Sequence, residues 1–351
     1  MIEKIKVIKD MHICHVYKDY YPPVVGGIEK FISLLAKYQK KEAKVSVLVC
    51  GGKIRSRVME IDGVNVIYAG EIIRVLSTPL SFQFFSYARN IINPDIFVVH
   101  SPYPIGELSV WLNRKSTSYV LRYHSDVVRQ KTAMFLYSAL FNRILADSRF
   151  IIPTSEIYQK SSPFLRRYQD KCIVVPLGIE VDSFSCVNEE KIKEIHQQYG
   201  SEFVFFCGVH RYYKGLHILL ESAKKLEVPV VIAGDGPEKK KLIEIKEREC
   251  INNVFLVGVL SDEELKAYLH ACALFVFPSI ARSEAFGISI IEAHACGKPV
   301  VATKLGTGVE WANLDGKTGI NVAPGNPEEL AEAIKLLLKN PKVRLEMGQT
   351  A

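Results

Sequence analysis

The sequence lacks several features that would place it in a familiar class at once. Its eight cysteines are scattered, and none has the spacing of a C-x-x-C pair or a zinc site, which predicts buried reduced thiols in an intracellular protein. No stretch approaches the roughly 18 apolar residues of a spanning helix. The amino terminus has no apolar core long enough for a signal peptide. These absences predict a cytoplasmic protein.

Two motifs of phosphate chemistry are also missing. No G-x-x-x-x-G-K-[ST] sequence occurs, so a P-loop NTPase is not supported, and no D-x-D occurs, which disfavours a diphosphate clamped by a metal. The formal net charge of +7 suits nucleotide phosphates, nucleic acid or an acidic membrane. Because no aromatic-plus-basic RNA motif or recognition helix is evident, we predict no nucleic-acid partner. Salt-dependent retention of the protein on DNA would instead favour a nucleic-acid-binding protein.

Short apolar runs alternate with helical patterns along the 351 residues, which are too many for one ordinary core. Runs rich in Val, Ile and Phe with little alternation predict strands that are buried on both faces. Their alternation with helices, for example 27–39 and 132–146, predicts doubly wound α/β domains. The predicted strands are 12–17, 44–49, 64–68, 95–100, 119–123, 150–153, 172–175, 203–207, 230–233, 254–257, 274–277 and 300–302.

This alternation is interrupted between residues 176 and 201, where a loop (PLGIEVDSF) precedes one polar helix. We therefore predict an amino-terminal Rossmann-like domain at 1–182 and a carboxyl-terminal one at 183–351. Two such domains facing each other would leave a cleft lined by the carboxyl ends of both sheets, which is where ligands bind in open α/β folds.

The segment 283–292 (SEAFGISIIE) is the most informative motif. A helix that opens within it would present free backbone N–H groups to an anion. Glu284 would lie just outside this helix and Glu292 on it, so that one carboxylate could contact a sugar and the other a ribose. An acidic cap and a solvated glutamate are the alternative. The candidate donor-binding residues at the helix start are Phe286, Gly287 and Ile288.

The surrounding motifs resemble those of glycosyltransferase family 4, which has the GT-B fold of two Rossmann-like domains facing across a cleft. The resemblance spans nearly the whole chain and is strongest in the second half. Within the family, 211–217 (RYYKGLH) and 306–308 (GTG) resemble a bacterial branch of rhamnosyl- and mannosyltransferases. The other motifs that carry the resemblance are 233–238, 278–287, 292–302, 315–319 and 322–330.

The resemblance implies roles for individual residues in the second half. Glu284 would contact the donor hexose, and Glu292 would hold the ribose hydroxyls, which suit a carboxylate. Lys214 would neutralise the diphosphate as it leaves. Val209 stands where the family usually has an arginine, so Arg211 is the candidate for the missing cation.

In the first half, Gly26 and Gly27 follow a predicted strand and begin a helix. Bare backbone could approach a phosphate there, although a plain structural turn is the alternative. The resemblance implies that this loop meets the donor diphosphate and sugar. It also places His124 near the reacting carbon of the donor, with Asp126 as a candidate to orient it or to touch the acceptor. Three further histidines near apolar segments are interpreted as structural: His15, His100 and His294.

The segment 127–149 has apolar residues at helical spacing with basic residues nearby. It predicts either an interfacial helix on an acidic membrane or, more commonly, a helix packed on its own sheet. The apolar positions are Met134, Tyr137, Leu140, Phe141 and Ile144.

With the resemblance, these residues predict a retaining hexosyltransferase that needs no metal and no cofactor, in which His124, Glu284 and Lys214 are catalytic. The donor would be a GDP- or UDP-linked hexose, with mannose or rhamnose favoured. The acceptor would be a glycan or a lipid-linked glycan of a surface polysaccharide, at the inner face of the plasma membrane. The alternatives are a sugar-nucleotide epimerase or glycan phosphorylase of the same architecture, or a non-catalytic sugar-nucleotide-binding subunit. Family 4 chains usually continue through another helix, so we expect a truncated form.

Overall fold

The computed structural model describes residues 10–24, 26–75, 78–126, 131–185 and 187–351, without the side chains of 131–136. The chain divides into two compact units, Met1–Leu177 and Gly178–Ala351. The sequence places this division a few residues later, after residue 182. Each unit has its own mainly parallel sheet with helices between the strands, so the predicted α/β class is confirmed.

The amino-terminal unit contains nine described strands. They are β1 (His12–Val16), β2 (Lys44–Cys50), β3 (Arg57–Ile61), β4 (Val64–Ala69), β5 (Ile73–Val75), β6 (Thr78–Leu80), β7 (Ile96–Ser101), β8 (Ser118–Tyr123) and β9 (Ile151–Pro153). The main sheet has the order β3-β4-β2-β1-β7-β8-β9, and only the β3–β4 pair is antiparallel. Strands β5 and β6 form a separate antiparallel hairpin. In β2, every residue after Lys44 is buried, as expected for a strand covered on both faces.

In the described part of this unit, five α-helices lie between or after these strands. They are α1 (Gly27–Gln39), α2 (Phe82–Ser86), α3 (Pro104–Leu112), α4 (Lys131–Asp147) and α5 (Glu156–Ser161), and a π-helical turn, Tyr87–Ile91, follows α2. Helix α3 begins at Pro104. Proline has no backbone N–H, and because the N–H groups of the first turn have no partner within a helix, no helical hydrogen bond is lost. Short 3₁₀ turns follow α5 at Leu165–Arg167 and Gln169–Lys171.

The prediction of a strand at 172–175 is wrong. The segment lies beside β9, where the N–H groups of Ile173 and Val175 donate to the carbonyls of Ile151 and Pro153. Only one isolated bridge, between Ile151 and Cys172, has strand geometry. Ile173 and Val175 are exposed and Cys172 and Val174 are only partly buried, so the apolar pattern of this segment does not reflect a buried strand.

The described residues of the carboxyl-terminal unit form six strands, all parallel. They are β10 (Val204–Cys207), β11 (Val230–Ala233), β12 (Val254–Gly258), β13 (Leu274–Phe277), β14 (Val300–Thr303) and β15 (Gly319–Val322). The sheet order is β12-β11-β10-β13-β14-β15. The sequence did not predict β15, which is only four residues long and contains a glycine and an asparagine.

Eight α-helices that the structure describes surround this sheet. They are α6 (Glu189–Tyr199), α7 (Leu216–Ala223), α8 (Lys239–Arg248), α9 (Asp262–Ala271), α10 (Ile288–Ala295), α11 (Val309–Ala312), α12 (Pro327–Lys339) and α13 (Pro341–Thr350). A 3₁₀ turn, Val181–Phe184, precedes α6. Helix α9 begins with a complete capping box, in which Ser261 and Glu264 satisfy each other's backbone N–H groups. The core lies between the strands and α7, α8 and α12, around side chains such as Phe206, Leu220, Ile232, Val276 and Ile334.

Helix α4 occupies most of the segment with the alternative membrane interpretation. Residues 127–130 and the Met134 side chain lie outside the described residues. Phe141 and Ile144 are buried, and the Tyr137 hydroxyl bonds to the buried Glu107 carboxylate. These side chains pack inward, as the commoner alternative requires. In the part of the chain that is described, no helix has both the length and the apolar character needed to span a bilayer. Contact with a membrane surface and a cytoplasmic location stay predictions.

Candidate active site

The candidate site of the carboxyl-terminal unit lies at the carboxyl ends of β10 and β13. These strands are neighbours in the sheet although β11 and β12 come between them in sequence. The chain continues from β10 to β11 on one side and from β13 to β14 on the other, and such a switch point opens a crevice where ligands bind in α/β folds. The loops that follow the two strands are joined by a backbone hydrogen bond from Ile280 N–H to the Tyr213 carbonyl, 2.8 Å long.

Lys214 and Glu284 meet directly in this crevice. The ammonium nitrogen of Lys214 lies 2.5 Å from Oε2 of Glu284, and the two side chains are only 13% and 11% exposed. The same carboxylate oxygen accepts a hydrogen bond from the Ser279 hydroxyl at 3.2 Å. The ammonium also lies 4.8 Å from the centre of the Phe277 ring. Two residues that the sequence singled out separately therefore form one ion pair.

This ion pair keeps Lys214 charged. Burial is the largest single effect and lowers the pKa of the ammonium group, but attraction and hydrogen bonding by Glu284, together with Tyr213 and Cys207, outweigh it and leave the pKa above its ordinary value. A diphosphate entering the crevice would meet a fixed positive charge with little surrounding water, where electrostatic interactions are strong. The Glu284 carboxylate would then lose part of its pairing and become available to a second polar group.

Gly215 allows the two loops to approach each other. Its backbone is in the left-handed region, with φ of 68°, and ends the turn Tyr212–Lys214. A Cβ atom at this position would overlap the carbonyl oxygen of Pro278. Glycine is therefore required twice, once for the backbone conformation and once for the contact with the β13 loop.

We expect Gly215→Ala to destabilise the protein by about 3 kcal/mol, the sum of left-handed strain and displacement of the Pro278 loop. Gly316→Ala is the matched control, because Gly316 has a φ of 72° and nothing within 4 Å of its would-be Cβ. The control should cost only about 1 kcal/mol. Denaturant unfolding of both variants measures the difference, and equal losses would contradict the proposed contact.

The start of α10 lies after Glu284 in the same loop. Gly287 is its N-cap in a left-handed conformation, and no side chain caps the helix. The backbone N–H groups that begin at Ile288 are therefore suited to an anion. The Phe286 ring is buried 5.5 Å from the Trp311 ring, so it supports the loop by packing. Glu292 lies on the second turn of α10 and is partly buried.

The position where the family usually has an arginine is exposed in this chain. Val209 is 39% exposed, and Arg211 is exposed as well. Two neighbouring glycines, Gly234 and Gly236, have positive φ angles and pack closely around the backbone of this loop. Both glycines lie close to the buried His210. This histidine is not among the candidates predicted from the sequence. The one sequence feature that could have indicated His210 is the motif 233–238, whose glycines pack against it.

In the amino-terminal unit, the Gly-Gly loop begins α1 as the sequence indicates. Gly26 is the N-cap, without a side-chain capping bond, and Gly27 is the first residue of the helix. A Cβ atom on Gly26 would overlap the carboxylate of Glu29, which is buried. The preceding Val25 lies outside the described residues. The role of this loop with a donor stays a prediction.

His124 directly follows β8 and is only 3% exposed. Its Nε2 lies 2.8 Å from Nδ1 of His100, and Nε2 of His100 lies 2.9 Å from Nδ1 of His15. From the sequence, His15 and His100 are interpreted as structural residues, and no local pattern indicates this connection. Asp126 accepts hydrogen bonds from Tyr123 and Ser162 instead of orienting His124.

Among the described residues, no three His, Cys, Asp or Glu side chains are grouped closely enough to hold a metal ion.

Known protein families match both units. Residues 25–183 match the model described as Glycosyltransferase Family 4, and residues 187–351 match the model described as Glycosyl transferases group 1. O-antigen chain mannosyltransferase C of Escherichia coli is 33% identical over 97% of this chain and 92% of that protein. The D-rhamnosyltransferase WbpZ of Pseudomonas aeruginosa is 34% identical over 97% of this chain and 90% of that protein.

Solved structures show the same fold. Anabaena HepE, in a complex with UDP and glucose, has a TM-score of 0.78 and 20% identity over 97% of this chain and 93% of HepE. A sucrose-phosphate synthase from Thermosynechococcus elongatus has a TM-score of 0.81 and 18% identity over 97% and 92% of the two chains. The predicted GT-B fold is confirmed.

Proposed function

The chain belongs to glycosyltransferase family 4, and from this we propose that it transfers mannose or rhamnose from a nucleoside diphosphate to a glycan or lipid-linked acceptor of a surface polysaccharide. The names of the two relatives that match nearly the full chain support this choice of sugar and pathway. The nucleotide of HepE is UDP, whereas the resemblance to the rhamnosyl and mannosyl branch favours GDP, so the base is the first property to measure.

The ion pair between Lys214 and Glu284 is the observation that carries this proposal. In the proposed complex, the diphosphate takes the ammonium group of Lys214 and the N–H groups at Gly287 and Ile288. Glu292 accepts hydrogen bonds from the ribose hydroxyls. Glu284 then faces the hexose, where a carboxylate holds the sugar hydroxyls and stabilises positive charge on the anomeric carbon.

The proposed reaction retains the anomeric configuration. The bond between the anomeric carbon and the diphosphate oxygen breaks, and the acceptor oxygen forms a new bond from the same face. The acceptor proton passes to the departing phosphate oxygen, so no side chain has to act as a nucleophile. Because Lys214 and helix amides neutralise the leaving group, we propose that transfer needs no metal.

A thermal-shift panel followed by product analysis tests this function. A nucleotide that binds the folded chain raises its melting temperature, and at 100 times its Kd the gain is about 2.7 kcal/mol. We expect GDP and GDP-mannose to raise Tm by several degrees. NMR of the product should then show an α-glycoside and free GDP in the presence of EDTA. An epimerised nucleotide sugar, a phosphorylated sugar or the absence of any shift would contradict the proposal.

A further inference from the structure

Three buried histidines on neighbouring strands of the amino-terminal sheet form a continuous hydrogen-bonded chain. His15 lies on β1, His100 on β7, and His124 directly after β8; none is more than 3% exposed. We call these three residues the histidine chain. Its two ring-to-ring bonds are 2.9 and 2.8 Å long. At its far end, Nε2 of His15 lies 2.6 Å from Oε1 of Gln39, the last residue of α1.

All three rings are neutral near pH 7. Burial lowers the pKa of His15 to about 4. Burial also lowers the pKa of His100, as do the neighbouring histidines and Arg122, and burial with Arg122 lowers that of His124. The groups that face the rings from the packed elements are Arg122 on β8, Tyr17 after β1, and the uncharged Phe31 and Gln39 on α1. The cation of Arg122 therefore opposes a second positive charge in the histidine chain.

Counting protons restricts the tautomers of the histidine chain. Three neutral imidazole rings carry three N–H protons, and each of the two ring-to-ring bonds holds one of them. The third proton must lie at one end, either on Nε2 of His15 or on Nδ1 of His124. The Gln39 carbonyl oxygen accepts a hydrogen bond, so it holds this proton on His15.

The free end of the histidine chain is then a hydrogen-bond acceptor. Nδ1 of His124 is buried and has no hydrogen-bond partner among the described residues. A buried lone pair without a donor is unfavourable, and a hydroxyl group of a ligand would satisfy it. Because tautomers interconvert together along the chain, a change at Gln39 would alter the nitrogen that a ligand meets at His124.

We propose that Gln39, His15 and His100 are positioning residues that fix the tautomer of His124, so that its Nδ1 accepts a hydrogen bond from a sugar hydroxyl during transfer. This inference rests on the proposed function for its ligand and on the hydrogen-bond pattern for the tautomer. A measurement of the tautomer alone can therefore fail or succeed independently of the proposed function.

The test uses the full chain with 15N-labelled histidine. Long-range 1H–15N correlation spectra distinguish a protonated ring nitrogen from a bare one, and the variant His124→Asn assigns the His124 signals. We expect a protonated Nε2 and a bare Nδ1 on His124 between pH 6 and 8. A protonated Nδ1 in the wild-type chain would overturn the proposal whether or not the chain transfers a sugar.

Variants of Gln39 test the consequence for transfer. Gln39 is only partly buried, and Gln39→Met removes the acceptor without adding a charge. We expect a second His124 tautomer and a fall in kcat/KM of roughly tenfold, with GDP binding unchanged. Gln39→Glu, whose carboxylate also accepts, should keep the wild-type tautomer and stay within about threefold of wild-type kcat/KM. Gln197→Met is the control. It replaces an exposed helical glutamine and should change neither the His124 tautomer nor kcat/KM. A new tautomer without a kinetic effect, or no new tautomer, would overturn the proposal.

Discussion

Glu284→Gln is expected to lower kcat/KM for sugar transfer by roughly 100- to 1000-fold, which is typical for loss of one preorganised electrostatic contact. Glutamine has nearly the same shape, so the crevice should keep its form. The loss arises because the neutral amide no longer stabilises positive charge at the anomeric carbon. Steady-state assays with labelled donor measure the effect, and circular dichroism checks the fold. Normal turnover in this variant would remove Glu284 from the mechanism.

The same substitution should not weaken binding of the bare nucleoside diphosphate. In the free chain the ammonium of Lys214 is shared with Glu284, so removal of the carboxylate leaves that cation available to phosphate. We expect an unchanged or lower Kd for GDP by calorimetry. The matched control is Glu332→Gln, which removes an exposed carboxylate paired with Lys335 and should change neither Kd nor turnover. A large loss of GDP affinity in Glu284→Gln would mean that Glu284 contacts the nucleotide instead of the sugar.

Lys214→Met is expected to have the opposite effect on nucleotide binding. It removes the positive charge from the crevice and leaves Glu284 unpaired where the diphosphate would bind. A charge-assisted hydrogen bond contributes about 1.5–3 kcal/mol, so the Kd for GDP should rise about 10- to 100-fold. Transfer should fall further, roughly 1000-fold in kcat/KM, since negative charge on the diphosphate grows as the glycosidic bond breaks.

Lys225→Met is the control for this variant, because Lys225, in the turn after α7, forms an exposed ion pair with Glu328 on α12. It should bind GDP and transfer sugar as the wild type does. An unchanged Kd for GDP in Lys214→Met would contradict the proposed diphosphate site. The two members of one ion pair are thus expected to shift nucleotide affinity in different directions, which simple unfolding of either variant would not produce.

The sequence predicted the α/β class, and the family resemblance implied donor-site roles for Lys214 and Glu284, which stay predictions. Neither indicated that these two residues pair. They are 70 positions apart, and their contact depends on β10 and β13 being adjacent in the sheet. It also depends on the close approach of Gly215 to the Pro278 carbonyl. Sheet order and loop contacts of this kind are set by tertiary packing, and a local residue pattern does not contain them.

The histidines illustrate the same limit more strongly. His15 and His100 were interpreted as structural because each stands alone beside an apolar run. Their connection to His124 appears only when β1, β7 and β8 are placed side by side. The wrong strand at 172–175 has a related cause. Its apolar residues have the composition of a buried strand, but they lie at a sheet edge, where only one isolated bridge has strand geometry.

A crystal structure with bound GDP-mannose tests the central claim most directly. We predict that the diphosphate lies about 3 Å from the Lys214 ammonium and from backbone N–H groups at Ile288, with Glu284 released to the mannose hydroxyls. The ribose should bind Glu292. A donor bound away from this crevice, or one bound there while Lys214 and Glu284 keep their mutual contact and touch neither phosphate nor sugar, would contradict the account.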